Sequence, residues 1–267
     1  MTSPRAPGSV APQPIAQRAL APLARYKLLC CNAFQREMSA AISVSPNLID
    51  PEFLELGLHE KPEELRSRLQ GRIDEAEAAA EPYDAVLLGY GLCGNGTAGI
   101  RSRGRPIVLP RAHDCCTLLL GSRAAFLELF ASNFSASWSS AGYIERGSTY
   151  FRSSELGMSI GHGLEYGELV AQYGEENARY VWETLHPEAA ERELRFIEMP
   201  ETEGLGYAAA MRAKAAEEGK EFLLLRGDSR LLRALLAGNW DEEEFLVVPP
   251  GKAIVGLYDH DRVVAAE

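Results

Sequence analysis

Cysteine follows each of three predicted strands, and this placement suggests thiol or metal chemistry. The three runs are as follows: Tyr26–Cys31 ends in Cys30 and Cys31, Ala85–Leu88 precedes Cys93, and Ile107–Leu109 precedes Cys115 and Cys116. In a parallel α/β sheet the carboxyl ends of the strands share one edge, and ligands bind there. We therefore expect thiols from all three strand ends to face a common crevice.

His113 adds an imidazole to this set of thiols. It stands two residues before Cys115, and on an extended backbone that spacing points both side chains to one side. Thiolate and imidazole together are ligands that zinc takes in tetrahedral sites. The sequence thus predicts a metal site of Cys31, Cys93, Cys115 and His113, with Zn²⁺ as the expected ion. A [4Fe-4S] cluster with one open iron is the alternative, because thiolates hold both.

Two alternatives stay open at this point. Free cysteine is among the most buried residue types, so the thiols could also be small apolar side chains at a packed strand edge. The neighbouring pairs also leave open whether Cys30 or Cys31, and Cys115 or Cys116, supplies the working thiol.

A glycine-rich loop, Gly89–Gly96, follows the second predicted strand. It lacks the Gly-Lys-Ser/Thr ending of a P-loop and the glycine spacing of a dinucleotide site. Its glycines permit close approach of a ligand to the backbone, although a tight crossover would also use them. The residues predicted to contact a cofactor are Gly91, Gly94, Asn95 and Gly96.

Three polar residues near the cysteines are candidates for catalytic roles. Arg111 could bind a substrate carboxylate bidentately or pair with a surface acid. Tyr90 lies in the glycine-rich loop, where we expect it to contact substrate. Asp114 is placed to cap the helix that begins at Cys115, and a thiolate in that first turn would have its pKa lowered.

Composition excludes several classes of function. The chain has 267 residues and a net charge of −11, which argues against a nucleic-acid partner because phosphate binding needs a basic face. No apolar run reaches the roughly 18 residues of a membrane helix. The five cysteines show no secretory spacing, which predicts free thiols in a reducing cytoplasm.

Strand and helix patterns alternate along the chain, which predicts an α/β fold with a mostly parallel, doubly wound sheet. Two Rossmann-like halves or one continuous sheet would both fit this alternation. The predicted divisions are a disordered tail at 1–24, a first α/β half with the Cys/His cluster at 25–140, and a lid segment with a second half at 141–267. The individual elements include a strand at 53–58, helices at 61–80, 114–131 and 164–185, and an irregular lid at 132–163.

Seven motifs follow one another along the chain: Lys27–Glu37, Leu88–Gly96, Pro110–Cys115, Leu120–Ser122, Tyr173–Arg179, Gly227–Leu232 and Pro249–Gly251. Together they resemble the DUF1638 family of uncharacterised prokaryotic proteins. The resemblance implies single thiols at Cys31, Cys93 and Cys115, with Cys30 and Cys116 as additions. It also implies a cytoplasmic protein linked to corrinoid-dependent methyl transfer from methylamines and betaines.

Together these observations predict a metal-thiolate protein that acts in thiol or corrinoid-linked methyl transfer. A metal-dependent methyltransferase or related transferase would bind a small, anionic substrate and work with a corrinoid protein or a second methyltransferase. An iron–sulfur protein and a non-enzymatic corrinoid or metal carrier are the alternatives. A cofactor-free racemase with one cysteine on each side of a cleft is disfavoured, because residues 117–267 contain no cysteine.

Overall fold

The computed structural model describes residues 23–130, 137–146, 170, 175, 192–257 and 262–267. These residues form a mixed α/β fold whose two larger sheets are mainly parallel, as predicted. The Rossmann-like character of the two halves remains an interpretation. The predicted tail at 1–24 and helix at 164–185 lie almost wholly outside the described residues.

The first sheet has the strand order β2-β1-β3-β4-β8. Its strands are β1 (Arg25–Cys31), β2 (Leu48–Leu54), β3 (Ala85–Gly89), β4 (Ile107–Pro110) and β8 (Phe245–Val248). The central strands β3 and β4 are buried throughout, which explains their continuous apolar sequences. All neighbours are parallel except β8, which runs antiparallel to β4.

A second sheet and a hairpin complete the described strands. The second sheet is parallel with the order β5-β6-β7, formed by Ser137–Ser140, Glu193–Glu198 and Glu221–Arg226. The hairpin pairs β9 (Ile254–Gly256) with β10 (Val264–Ala266).

The helices surround and connect these sheets. They are α1 (Gln35–Ser43), α2 (Pro62–Glu77), α3 (Cys115–Leu120), α4 (Arg123–Phe130), α5 (Ala141–Glu145), α6 (Tyr207–Glu217) and α7 (Arg230–Ala237), with short 3₁₀ helices at Asn32–Phe34 and Leu58–Glu60. Leu65, Leu69 and Ile73 recur at helical spacing in α2 and are fully buried. Within the described ranges, no helix is long and apolar enough to span a membrane.

Three predicted elements need correction. The strand predicted at 53–58 begins earlier, at Leu48, and ends at Leu54. The helix predicted at 114–131 is two helices, because Gly121 takes a φ of 76° and ends α3. Part of the predicted irregular lid is regular and buried, since β5 and the first residues of α5 lie within it.

Hydrogen bonds from β6 and from the segment after β7 join the second sheet to helices α3 and α4, which follow the first sheet's β4. The Asp228 N–H, after β7, donates to the Leu119 carbonyl of α3 at 2.9 Å. Buried Arg195 of β6 donates to the Leu129 carbonyl of α4 at 2.6 Å and lies over the Phe130 ring. Strand β8 returns the end of the chain to the first sheet. The domain boundaries 25–140 and 141–267 therefore remain a prediction.

Candidate thiol site

Three buried thiols from three separate segments come together at the carboxyl edge of the first sheet. The Cys115 thiol is hydrogen-bonded to Cys31 on one side and to Cys93 on the other. All three residues are at least 94% buried, and all are free cysteines. We call Cys31, Cys93 and Cys115 the thiol cluster.

Strand alternation decides which member of the first cysteine pair joins the cluster. Successive side chains of β1 point to opposite faces, so Cys30 and Cys31 diverge. The Cys30 sulfur lies within hydrogen-bonding distance of the Cys31 and Gly89 carbonyls, at 3.4 and 3.6 Å. Cys30 thus packs inside the core, and Cys31 faces the other thiols.

Cys93 is held by a strained stretch of backbone. Cys93, Gly94 and Asn95 have φ values of 47°, 61° and 67°, and left-handed backbone is uncommon for residues other than glycine. The Cys93 N–H donates to the His113 carbonyl at 2.9 Å, and the Leu92 N–H donates to the Ala112 carbonyl at 2.8 Å. These two bonds fasten the glycine-rich loop to the segment that leads into Cys115.

Cys115 is placed by the start of α3. Asp114 caps that helix as predicted, with its carboxylate accepting from the Thr117 N–H at 3.2 Å. Cys116 is also fully buried, and burial and the Asp114 charge raise the pKa of its thiol. Of the second cysteine pair, Cys115 is the one that is hydrogen-bonded to Cys31 and Cys93.

The pKa values of the Cys31 and Cys115 thiols are shifted in opposite directions. The hydrogen bond from Cys115 lowers the pKa of the Cys31 thiol, against the opposing effect of burial. The Ala33 backbone N–H and the positive charge of Arg146 lower it further. The pKa lowering expected for a thiol in the first turn of α3 is wrong for Cys115, because its hydrogen bonds to Cys31 and Cys93 and its burial raise the pKa. Cys31 is accordingly the thiol that ionises first within this pair.

Two buried tyrosines adjoin the thiols. Both Tyr90 and Tyr143 are 3% exposed, and burial with the nearby sulfurs raises the pKa of each phenol. Tyr143 belongs to α5 and packs edge-on against Trp138 of β5, with ring centroids 4.8 Å apart. These rings shield the cluster from water.

Several buried polar atoms in this region have no hydrogen-bond partner among the described residues. They are the Tyr90 hydroxyl, the Ser140 hydroxyl, both Glu37 carboxylate oxygens and Glu201 Oε2. Burying a polar atom without a hydrogen-bond partner costs free energy, and a bound ligand or an ordered water would supply the missing partner. Their occurrence around the carboxyl ends of both sheets marks this region as a candidate binding site.

Glu37 is the most unexpected of these groups. The sequence suggested a carboxylate on the helix surface or at the helix cap, but Glu37 is fully buried. Burial, with smaller contributions from Glu201 and Glu145, raises its pKa to about 7. A carboxyl group of this kind can exchange a proton near neutral pH.

The guanidinium group of Arg111 is hydrogen-bonded to backbone carbonyls of the same chain. Its Nε donates to the Glu242 carbonyl at 2.8 Å, and its Nη1 donates to the carbonyls of Arg262 and Val264. It therefore ties the end of β4 to the C-terminal hairpin. Its predicted role as a substrate anchor remains a prediction.

The glycines of the predicted cofactor loop have close protein neighbours. A Cβ at Gly91 would lie 2.5 Å from the Ala112 carbonyl oxygen, and one at Gly96 would lie 2.6 Å from a Leu65 methyl. Arg66 donates to the Asn95 carbonyl at 3.0 Å. These contacts explain the glycines as scaffolding for Cys93, and cofactor contacts by Gly91, Gly94, Asn95 and Gly96 remain a prediction.

The residue types of the cluster suit a metal ion, but their positions in this structure are not those of a metal site. Three thiols form a donor set that suits zinc and other thiophilic ions. Cys115 contacts both other thiols, but the described residues include no group of three or more His, Cys, Asp or Glu side chains arranged to hold a metal. His113 is positioned through its carbonyl, which accepts from Cys93, and its role as a ligand remains a prediction.

Sequence reasoning did not identify the contributions of α5. Tyr143 and Arg146 both act on the thiols, yet they fall in the stretch predicted to be an irregular lid. One available signal was Gly142. A Cβ there would lie 1.7 Å from the Ala33 carbonyl oxygen, so glycine lets α5 pack directly on the turn after Cys31.

Comparison with known proteins agrees with the resemblance of the motifs. Residues 53–222, more than half of the chain, match the family model described as "Protein of unknown function (DUF1638)". Searches of curated proteins and of solved structures found no match. The match spans Cys93 and Cys115 of the thiol cluster and the α5 residues beside them, and on this evidence the chain belongs to the DUF1638 family.

Proposed function

We propose that Cys31, Cys93 and Cys115 together bind one metal ion, with zinc as the expected ion, and that this centre serves methyl transfer involving a thiol. The observation that supports the proposal is the mutual hydrogen bonding of three buried thiols from three separate segments. A merely apolar role would not require the thiols to meet. It would also not require the backbone strain that holds Cys93 beside them.

Direct contact of Cys115 with the other two thiols favours a single ion over an iron–sulfur cluster. Thiolates at a Zn–S distance of about 2.3 Å in a tetrahedral site lie about 3.8 Å from each other, close to the separation of hydrogen-bonded sulfurs. In a four-iron cluster each thiolate binds a different iron, so the sulfurs would have to move apart.

Individual residues of the chain would have different roles at this centre. Cys31 has the lowered thiol pKa and would lose its proton before Cys115, which would release its proton as metal binds. His113 or a substrate thiol would take the fourth position. Bound zinc would lower the pKa of that substrate thiol, as it does for other coordinating thiols. Tyr90 and Tyr143 would exclude water from it.

The experiment is a zinc titration of metal-free protein and its variants, made without oxygen. Cys31→Ser, Cys93→Ser and Cys115→Ser should each weaken zinc binding by at least about tenfold, because loss of a thiolate removes one strong bond to the metal. Cys30→Ser is the matched control, because Cys30 is the adjacent thiol on the opposite face of β1. Binding should release protons from the cysteine ligands.

The outcomes separate the possible functions. Equal zinc affinity in the wild type and all three cluster variants would reject the proposed ligands. A brown protein containing iron and sulfide would favour the iron–sulfur alternative. A zinc-loaded protein that transfers a methyl group from a methylated corrinoid protein to a thiol would be the proposed enzyme. A loaded protein without that activity would be an accessory carrier.

A further inference from the structure

A cavity of about 430 Å³ lies between α1 and α5, next to the residues that flank the thiol cluster. Its wall includes Gln35 and Arg36 of α1, Glu145 and Arg146 at the end of α5, and Glu201 after β6. This volume lies in the range of small-molecule sites. Its wall therefore combines residues that follow strands of both parallel sheets.

One pair of charges in the cavity is already neutralised. The Arg36 Nε donates to Glu145 Oε1 at 2.6 Å, and the Tyr207 hydroxyl donates to the same oxygen at 2.6 Å. These contacts lower the pKa of the Glu145 carboxyl and keep it ionised. The pair fixes α5 against α1 but leaves little free charge for a ligand.

Two further charges in the same wall are less well compensated. Arg146 donates to the Gln35 side-chain oxygen, and no ion pair joins it to a carboxylate within the described part of the chain. Glu201 accepts from the Ser229 hydroxyl at 2.6 Å through Oε1, while its buried Oε2 has no hydrogen-bond partner among the described residues. The cavity thus offers one positive and one negative group to a ligand.

The cavity is also close to the reacting sulfur. Gln35 of the cavity wall follows Cys31 by four residues, and the Arg146 N–H donates to the carbonyl of Tyr143, the tyrosine that adjoins the thiols, at 3.2 Å. A molecule held by Arg146 would therefore lie near Tyr143, which covers the thiol cluster. Arg111, the anchor expected from the sequence, already donates to three backbone carbonyls.

We infer that this cavity binds a small zwitterion, with its carboxylate beside Arg146 and its cationic nitrogen beside Glu201. The inference rests on the proposed function in taking the thiol cluster as the reacting centre. Guanidinium matches carboxylate through paired, charge-assisted hydrogen bonds. The unpaired Glu201 oxygen disfavours a simple anion, because a like charge would lie in the same wall.

The test measures how well small molecules protect Cys31 from alkylation. Metal-free protein is treated with iodoacetamide, and the modification of Cys31 is followed over time by tandem mass spectrometry. In this reaction the Cys31 thiolate forms a carbon–sulfur bond and iodide leaves. The zwitterions glycine, β-alanine and 4-aminobutyrate cover a range of charge separations. Propionate and ethylamine carry only one charge each and serve as controls.

At least one zwitterion should slow alkylation of Cys31 by about tenfold at ten times its Kd, and the single-charge controls should protect much less. Arg146→Gln and Glu201→Gln should abolish this protection, measured as the ratio of rates with and without ligand in each variant. Arg68→Gln is the matched control, since Arg68 is a partly exposed arginine that lines a separate groove near β2. It should keep full protection.

Three results would overturn the inference: no protection by any of the zwitterions, equal protection by propionate, or unchanged protection in Arg146→Gln. Zinc affinity is measured on the same preparations. Protection without zinc binding would reject the proposed metal centre and leave the zwitterion site standing. Zinc binding without protection would do the reverse.

Discussion

At the scale of single residues, the hydrogen bond between Cys31 and Cys115 lowers the pKa of one thiol and raises the pKa of the other. Cys31 accepts from the Cys115 thiol and from the Ala33 N–H, which stabilises its thiolate form. Cys115 is the donor, and the pKa of its thiol is raised by the same contact. The cluster therefore contains one activated sulfur even before a metal binds.

Removing the Cys115 donor should make Cys31 harder to ionise. A hydrogen bond to a charged group stabilises the charged form, so Cys115→Ala should raise the pKa of Cys31 and move its alkylation midpoint to higher pH. Cys115→Ser keeps a hydroxyl donor and should retain much of the lowered value. The pH dependence of Cys31 alkylation in metal-free protein measures both shifts. Equal midpoints in the wild type and Cys115→Ala would contradict the assigned hydrogen bond.

Glu37 should make the protein less stable as the pH rises through the weakly acidic range. Its pKa is raised from 4.5 to about 7, so the stabilising contribution is complete below 4.5 and is lost between 4.5 and 7. The loss corresponds to roughly 3 kcal/mol at 1.36 kcal/mol per unit. Glu37→Gln cannot ionise and should lack this component.

Urea unfolding at pH 4.5 and at pH 8 tests the role of Glu37. The decrease in unfolding free energy between the two pH values should be larger for the wild type than for Glu37→Gln by roughly 3 kcal/mol. Other titrating groups are common to both proteins and cancel in this comparison. Parallel pH profiles would show that the Glu37 carboxyl is ionised without cost in the folded protein.

The thiols were predictable from the sequence at this scale, but their surroundings were not. Strand ends are visible as apolar runs, so Cys31, Cys93 and Cys115 could be assigned to a common edge. Glu37 could not be recognised as buried, because its burial depends on segments distant in sequence, including the one with Glu201. Local patterns carry no information about such contacts.

At the scale of secondary-structure elements, α5 is the piece that closes the thiol site. It packs on the 3₁₀ helix that follows Cys31, and it supplies both Tyr143 and Arg146. The close approach depends on Gly142, whose α-carbon faces the Ala33 carbonyl. The fit between these two short helices therefore sets the surroundings of Cys31.

Gly142→Ala should displace α5 and destabilise the protein. The added methyl group would lie 1.7 Å from a backbone oxygen, which cannot move aside as a flexible side chain could. Overpacking of this kind costs roughly 1–3 kcal/mol or more in unfolding free energy. Gly104→Ala is the matched control, since a Cβ there has no heavy atom within 4 Å, and it should change stability by less than about 0.5 kcal/mol.

Denaturant unfolding measures the two glycine variants side by side. The alkylation rate of Cys31 should also change in Gly142→Ala, because α5 carries the residues that cover and charge this thiol. If Gly142→Ala were as stable as Gly104→Ala, the close packing of α5 on the turn after β1 would be wrong.

Long periodic elements were predictable, and short ones were not. The apolar spacing of α2 predicted its position well. The break between α3 and α4 at Gly121 was hidden, because apolar residues continue on both sides of it. Helix α5 has five residues, too few to show a helical period, and its position is fixed by packing.

At the scale of the whole molecule, the carboxyl ends of both parallel sheets contribute to one region. The first sheet brings the cysteines, and segments after β5 and β6 bring α5 and Glu201. Strand alternation with helices made a parallel α/β fold predictable. The return of β8 to the first sheet was not, because an antiparallel edge strand has the same local pattern as a parallel one.

The metal content of the whole protein tests the central claim most directly. We predict that protein purified without oxygen contains about one zinc per chain by elemental analysis, bound by the three cluster thiolates. Cys93→Ser should lose most of that zinc, whereas Cys30→Ser should retain it. A folded wild-type protein that contains no metal and takes up none from added zinc would contradict the proposed centre.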